Sequence, residues 1–399
     1  MAVVGEVNLV TDSTMQDIAA SLRKMAGVNI YQPTSMAEIK KLVATGNAKN
    51  IFSIGDQINV PWTDKEASRE YTIPFDVVHH GTATLKTGEV VPAMYLQSHY
   101  AIPFGVQFSA AQAFHVVKDS ELQPGTYNVI MGEKWGTHVV QNKTYQFTLT
   151  KPVPINGQLA GFRGAPDQAP ANWKVYTYKD NATKEPIETV NVTEGAAGTN
   201  LGTLISAGNN LNSLHKVAYG NNRWAHSAMR QWLNSEQLAG KWWKPQNEYD
   251  RVPDQENKAG FLSGFKEDFL NALMPVKVTT ALNTKTDASV GVSEDTYDKF
   301  FLPGLEQMYI EPEWKGEGEA WDYWKRVLGR IKPVEKWKTY PELITYRLDA
   351  KTSPQHVRLR SANRGAASNS YYVTSAGTVS YGTASGANTC APACVIVGI

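Results

Sequence analysis

Apolar residues along the chain change spacing from helical to strand-like. Thr11-Asp-Ser-Thr14 reads as a helix N-cap, and Met15, Ile18, Ala19, Leu22 and Met25 follow at helical spacing up to Gly27. Ser35, three residues before Glu38, predicts a second capped helix over 35–44, with Met36, Ile39, Leu42 and Val43 as its apolar face and Gly46 beyond its end. From Ile51 the spacing becomes that of strands, expected at 51–54, 57–60, 73–79, 126–131 and 143–149. Pro and Gly punctuate 151–171, which predicts a boundary. Beyond it, strands are expected at 173–178 and 188–192 and helices at 227–233 and 265–273. The elements predict an α+β chain in four parts. A small helical unit spans 1–50, a β-sandwich or barrel 51–150, a linker 151–171, and a C-terminal domain 172–399.

With 39 Lys+Arg against 38 Asp+Glu, the formal net charge of +1 supplies no field to steer a polyanion, so nucleic acid is not expected as a partner. No run approaches the ~18 apolar residues of a membrane span, and the N-terminus lacks a basic segment followed by an apolar core. Neither membrane insertion nor a Sec-type signal is expected. Cys390 and Cys394 fit two small buried thiols, with a local disulfide as the alternative.

Candidate chemistry is sparse. His79 and His80 are adjacent on an expected strand and point to opposite faces, so with His99 and His115 they read as ordinary hydrogen-bonded histidines, and no metal or other cofactor is expected. No nucleophile elbow, Walker or dinucleotide glycine pattern occurs, and the chain is not expected to be an enzyme. Glu311, Glu313, Glu317 and Glu319 could form a glycosidase pair or a Ca²⁺ site, but a solvated acidic loop is the commoner meaning of such a Gly/Pro-broken run. Trp232 is expected in the core, whereas Trp242 and Trp243 are balanced between core and binding surface.

The tail departs from the rest. Lys, Glu, Gln, Met and Trp make up roughly a fifth of the chain, yet none occurs from Val357 to Ile399. Ser, Ala, Asn, Gly, Thr and Tyr replace them, an alphabet shared with antibody paratopes. The absent residues are also those that an AAC codon cannot yield when its two adenines are replaced at random. A Ser/Gly-rich run of short strands explains the composition equally well.

Tyr219–Ser235 (YGNNRWAHSAMRQWLNS), Asp298–Glu306 (DKFFLPGLE) and Leu359–Arg364 (LRSANR), with Tyr372-Val373, Gly377 and Ala391-Pro-Ala393, resemble the variable proteins of diversity-generating retroelements. The resemblance covers roughly 200–399. It implies a C-terminal C-type lectin-like fold of the formylglycine-generating-enzyme type, with a variable region at about 357–399. Implied contact positions are Asn363, Ala366, Ser368, Ser370, Tyr371, Ser375, Thr378, Ser380, Tyr381, Gly382, Thr383, Ser385 and Asn388. Arg360, Arg364, Gly365, Ala367, Tyr372, Val373, Gly377, Val379, Ala384 and Pro392 would be scaffold. The implied function is that of a phage tail receptor-binding protein on the virion or an extracellular surface. Its partner would be a host-surface protein or glycan, and display as a homo-oligomer such as a trimer would compensate for weak single sites. The alternative is a fixed structural or decorating virion protein. Turnover by Glu311–Glu319 with Trp platforms is a third reading. The sugar triplets of calcium lectins are absent, as is the copper-binding context of the formylglycine enzymes.

Overall fold

Ser35 caps the first described helix as its sequence predicts, its hydroxyl accepting from Glu38 N at 3.3 Å. The structure, a computed structural model, describes residues 35–132, 141–161, 173–180, 185–205, 214–215 and 220–399. The helix expected at 15–25 lies outside the described residues.

In chain order the elements begin with α1 (Met36–Ala44), α2 (Ala48–Ile51), β1 (Gln57–Asp64), β2 (Arg69–Thr84) and β3 (Val90–Ser98). β4 (His115–Val116), β5 (Gly125–Met131), β6 (Thr144–Leu149), β7 (Gln158–Gly161), β8 (Lys174–Tyr178), β9 (Pro186–Asn191), β10 (Thr193–Glu194), β11 (Thr199–Ile205) and β12 (Leu214–His215) follow. The remainder comprises α3 (Ala228–Leu233), α4 (Glu267–Ala272), β13 (Val276–Ala281), β14 (Ser293–Asp298), β15 (Phe300–Phe301), α5 (Asp322–Leu328), β16 (Thr345–Arg347), β17 (Ala350–Gln355), β18 (Val357–Ala362), β19 (Asn369–Val373), β20 (Val379–Thr383) and β21 (Ala393–Val397). The chain is α+β and mostly sheet.

The boundaries differ from those expected. β1, β2 and β3 continue through the last strand, β21, to β15 in one five-stranded antiparallel sheet. Residues 57–98 therefore belong with the C-terminal region, because β3 and β21 are both apolar and neither could be left as a solvated edge. Nor is α1 a separate unit: Ile39 and Val43 join the core that runs to Val397, which also takes in Trp232, Phe261, Phe300 and Ile396. Ile51–Ile54, expected as a strand, instead closes the helical turn α2 and leaves it at Phe52.

The β-sandwich lies further along the chain. Sheets β9-β8-β7-β4 and β10-β6-β5-β11-β12 enclose a second core that includes Val129, Tyr145, Phe147, Leu159, Trp173 and Leu204. Within 151–171, expected as a linker, 158–161 form β7 and residues 162–172 lie outside the described residues. The described Pro154 and Gly157 form a turn inside the sandwich, Gly157 N donating to Pro154 O at 2.8 Å.

Two hairpins, β13-β14 and β16-β17, and the three-stranded sheet β18-β19-β20 complete the fold. The expected helices at 227–233 and 265–273 appear as α3 and α4. Trp232 is fully buried, its indole donating to Ala259 O at 2.9 Å, and Trp242 is buried and donates to Lys258 O at 2.7 Å. Trp243 is partly buried against the same core. Cys390 and Cys394 are free and buried, and burial alone pushes the Cys390 thiol up to about 12. Among the described residues, no helix is long and apolar enough to cross a membrane.

Candidate functional site

Residues 357–383 of the depleted tail fold into β18-β19-β20, with β21 in the five-stranded sheet, and two arginines fix the smaller sheet from beneath. Every residue of β18 is buried, including Arg358 and Arg360. Arg358 Nη1 donates to Ser370 O (3.2 Å), Ser370 Oγ (3.0 Å) and Gly382 O (3.3 Å), and Nη2 to Thr383 O (2.9 Å) and Gly386 O (3.1 Å). One guanidinium thus joins β18 to β19, β20 and the turn beyond. Desolvation lowers its value to about 10, which leaves it charged at neutral pH.

Arg360 performs the same task toward the core. It donates to Leu302 O (2.8 Å), Thr279 O (3.2 Å), the Gln307 side chain and Glu317 O. Glu317, also buried, accepts from Ala281 N at 3.0 Å and from the Ser361 hydroxyl. Burial raises the Glu317 carboxyl and lowers Arg360, and the charge of each opposes the shift of the other. Glu317 is therefore not part of a solvated acidic loop. Glu313 is engaged too: one oxygen accepts the Tyr371 hydroxyl and the other accepts Arg364 N at 2.7 Å. Glu311, Glu313 and Glu319 are exposed, as the acidic-loop reading expected, and only Glu317 of the four is buried.

Asn222 closes the β18–β19 loop. Its buried amide donates to Asn363 O (3.0 Å), Ala366 O (2.7 Å) and Asn369 O (2.7 Å), while its Oδ1 accepts from Asn283 Nδ2 at 2.9 Å. Around it, Arg223 pairs with Glu294 through two bonds of 2.8 and 2.6 Å, and Asp298 accepts from Trp224 Nε1 (3.0 Å) and Arg230 Nε (2.7 Å). The described part of the first motif, 220–235, and the motif at 298–306 are thus the support on which the tail sheet is mounted.

Alternation along β19 and β20 gives the sheet two sides. Tyr371 and Tyr381 are cross-strand partners with ring centroids 6.0 Å apart, and Trp337 meets Tyr381 edge-on at 5.0 Å. Tyr371 is fully buried, whereas Tyr381 is 40% and Trp337 54% exposed. Trp337 also has a φ of 68°, in the left-handed region where a bulky side chain is strained. Its N–H donates to Val379 O at 2.9 Å, and Tyr340 N donates to Gly377 O at 3.0 Å, so 337–340 runs beside β20. Gly377 is required there: its φ is +82°, and a Cβ would strike the Tyr340 carbonyl. The other side of the sheet presents Arg358, Tyr372 and Gly382 to a cleft of about 230 Å³.

Of the expected contact residues, Tyr381 is exposed, and Ala366, Ser368, Ser375, Thr378, Ser380, Gly382, Thr383, Ser385 and Asn388 are partly exposed. Asn363, Ser370 and Tyr371 are buried and act as support: Asn363 Oδ1 accepts from Gly365 N at 2.9 Å, Ser370 holds Arg358, and Tyr371 holds Glu313. Among the expected scaffold residues, Arg360, Ala367, Val373, Gly377, Val379, Ala384 and Pro392 are buried and Arg364 and Tyr372 partly so, but Gly365 is exposed. Sequence reasoning missed Trp337, which lies outside the depleted stretch. It also gave Asn222 no role, although Asn222 sits inside a motif it singled out.

Three of the histidines singled out in the sequence have ordinary partners. His79 Nδ1 lies 2.9 Å from Asp322 Oδ2, His80 Nε2 lies 2.8 Å from Phe52 O, and His99 Nδ1 lies 2.8 Å from Asp76 Oδ2. His79 and His80 thus serve different elements.

Residues 200–398 are similar to a family described as a domain of unknown function (DUF6273). That stretch takes in the Asn222 and Asp298 supports and the whole tail sheet. No curated protein and no solved structure matches the chain.

Proposed function

We propose that this chain is a ligand-binding protein that displays diversified residues of its C-terminal sheet to a host-surface receptor. The observation that carries the reading is Trp337, an exposed indole held at φ 68° against exposed Tyr381 on a sheet whose underside is locked by buried hydrogen bonds. Strain of this kind costs about 1–3 kcal/mol and clusters at binding sites. Aromatic rings on a rigid frame bind with little loss of entropy. Sequence resemblance to retroelement variable proteins supports the same reading, as does the pairing of the last strand with an early hairpin, which suits a C-type lectin-like frame. On this proposal the protein is a phage tail or surface component, displayed as a homo-oligomer, and is not an enzyme.

Full-length protein, fluorescently labelled and titrated onto a panel of bacterial strains, tests this. Wild type should label a subset of strains, and Trp337→Gly and Tyr381→Ala should each lose at least tenfold in apparent affinity on those strains without a lower Tm. Equal labelling by all three proteins would support a fixed decorating protein instead.

A further inference from the structure

Arg358 is fully buried, yet among the described residues its five hydrogen bonds all go to uncharged oxygens of Ser370, Gly382, Thr383 and Gly386, and its Nε–H has no partner. Arg360, two residues on in the same strand, also bonds only uncharged oxygens and has an unpartnered Nε–H, but the Glu317 charge offsets its desolvation; among the described residues no carboxylate does this for Arg358. A buried cation satisfied only by dipoles remains a site of positive potential. It also lines an open cleft.

That cleft of about 230 Å³ lies on the side of the tail sheet away from Trp337 and is walled by His356, Tyr372, Thr383 and Asn388. Two glycines keep it open. A Cβ at Gly386 would lie 3.4 Å from Arg358 Nη2, and one at Gly382 would lie 3.0 Å from the Tyr372 ring. The volume is smaller than a drug-sized pocket and suits a single small molecule. Its walls combine a ring, with His356 edge-on to Tyr372 at 5.5 Å, and amide and hydroxyl groups that pair with ligand hydroxyls. Arg358 is the one lysine or arginine among the described residues that line the cleft, so a single buried guanidinium faces the ligand, which fits one carboxylate better than a multiply charged phosphate.

We propose that the Arg358 cleft binds the carboxylate of an acidic monosaccharide. The carboxylate lies toward the guanidinium, and the sugar hydroxyls meet Asn388 and Thr383. The site is separate from the Trp337 face, and failure of either leaves the other standing.

Calorimetric titration of the full chain with glucuronate, glucose and inorganic phosphate provides the test. Glucuronate should bind at least tenfold more tightly than glucose or phosphate. Gly386→Val, which fills the cleft, and Asn388→Ala, which leaves the backbone alone, should each weaken glucuronate at least fivefold. Trp337→Gly should leave it unchanged. Arg358→Met is not the primary variant, since the sheet rests on that side chain. Absence of glucuronate binding, equal binding of glucose, tighter binding of phosphate, or retention of full affinity in folded Gly386→Val and Asn388→Ala would overturn the proposal.

Discussion

Asn222 donates its side-chain amide to Asn369 O at 2.7 Å across 147 residues of sequence, and so ties the start of β19 to the segment that precedes α3. The same amide holds Asn363 O and Ala366 O, which fixes a loop with no secondary structure of its own. A binding surface made of loops and short strands needs such fastening, because ordering it on each encounter would weaken binding.

Asn222→Ala should therefore lower stability by about 3 kcal/mol, since it removes the three amide bonds to the loop carbonyls together with the bond accepted from Asn283. Hydrogen exchange should speed up over 363–369 more than in β5 and β6 of the sandwich. Denaturant melts and exchange mass spectrometry check both, and uniform exchange would show that the loop does not depend on this residue.

The two cross-strand tyrosines should behave differently. Tyr371 is buried against Trp337 and bonded to Glu313, so Tyr371→Ala should cost about 3–5 kcal/mol and Tyr371→Phe about 1 kcal/mol. Tyr381 is exposed, and Tyr381→Ala should change Tm little while reducing receptor binding. Thermal melts of the three variants decide this; similar losses for Tyr371→Ala and Tyr381→Ala would contradict the assignment of support and contact.

His99 gives a pH dependence of known sign. Its hydrogen bond to Asp76 raises its value above the ordinary 6.5, so the folded chain holds a proton there more tightly than the unfolded chain. The contribution is complete below 6.5 and is lost as pH rises through the folded value. Burial lowers His80, His115 and His226, whose contributions run the opposite way. Comparison of wild type with His99→Gln isolates the one site: their stability difference should shrink as pH rises, and a difference independent of pH would refute it.

Both thiols should be inert in the native protein. Burial raises Cys390 to about 12 and Cys394 well above its ordinary value, so neither forms a thiolate at neutral pH. A chromogenic disulfide reagent should react with neither until denaturant is added. Prompt native reaction would show that β21 opens.

Local structure was legible where a local signal exists. The Ser35 cap, the helix expected at 227–233 with buried Trp232 and the strands expected at 126–131 and 143–149 follow from spacing and capping alone. Long-range pairing was not legible. Nothing in Val90–Ser98 states that its partner is Ala393–Val397, because any apolar strand offers the same backbone donors and acceptors, and the β-sandwich was consequently placed too early. At the site, the depleted tail spans the three-stranded sheet but also β21, which belongs to another sheet, and a Ser/Tyr/Gly alphabet does not say which side chain points inward, hence the burial of Asn363, Ser370 and Tyr371. Trp337 escaped notice because its importance lies in φ and exposure, which no spacing encodes.

Sequencing this locus across one source population tests the central claim most directly. The account predicts substitutions concentrated in codons 357–399, at partly exposed and exposed positions such as Ser375, Ser380, Tyr381 and Ser385. Asn222, Glu317, Arg358 and Arg360 should stay constant, and the changes should fall at adenines of a nearby invariant template copy. Variation spread evenly along the gene, or confined to the sandwich at 115–205, would contradict it and leave the tail sheet a fixed part of the scaffold.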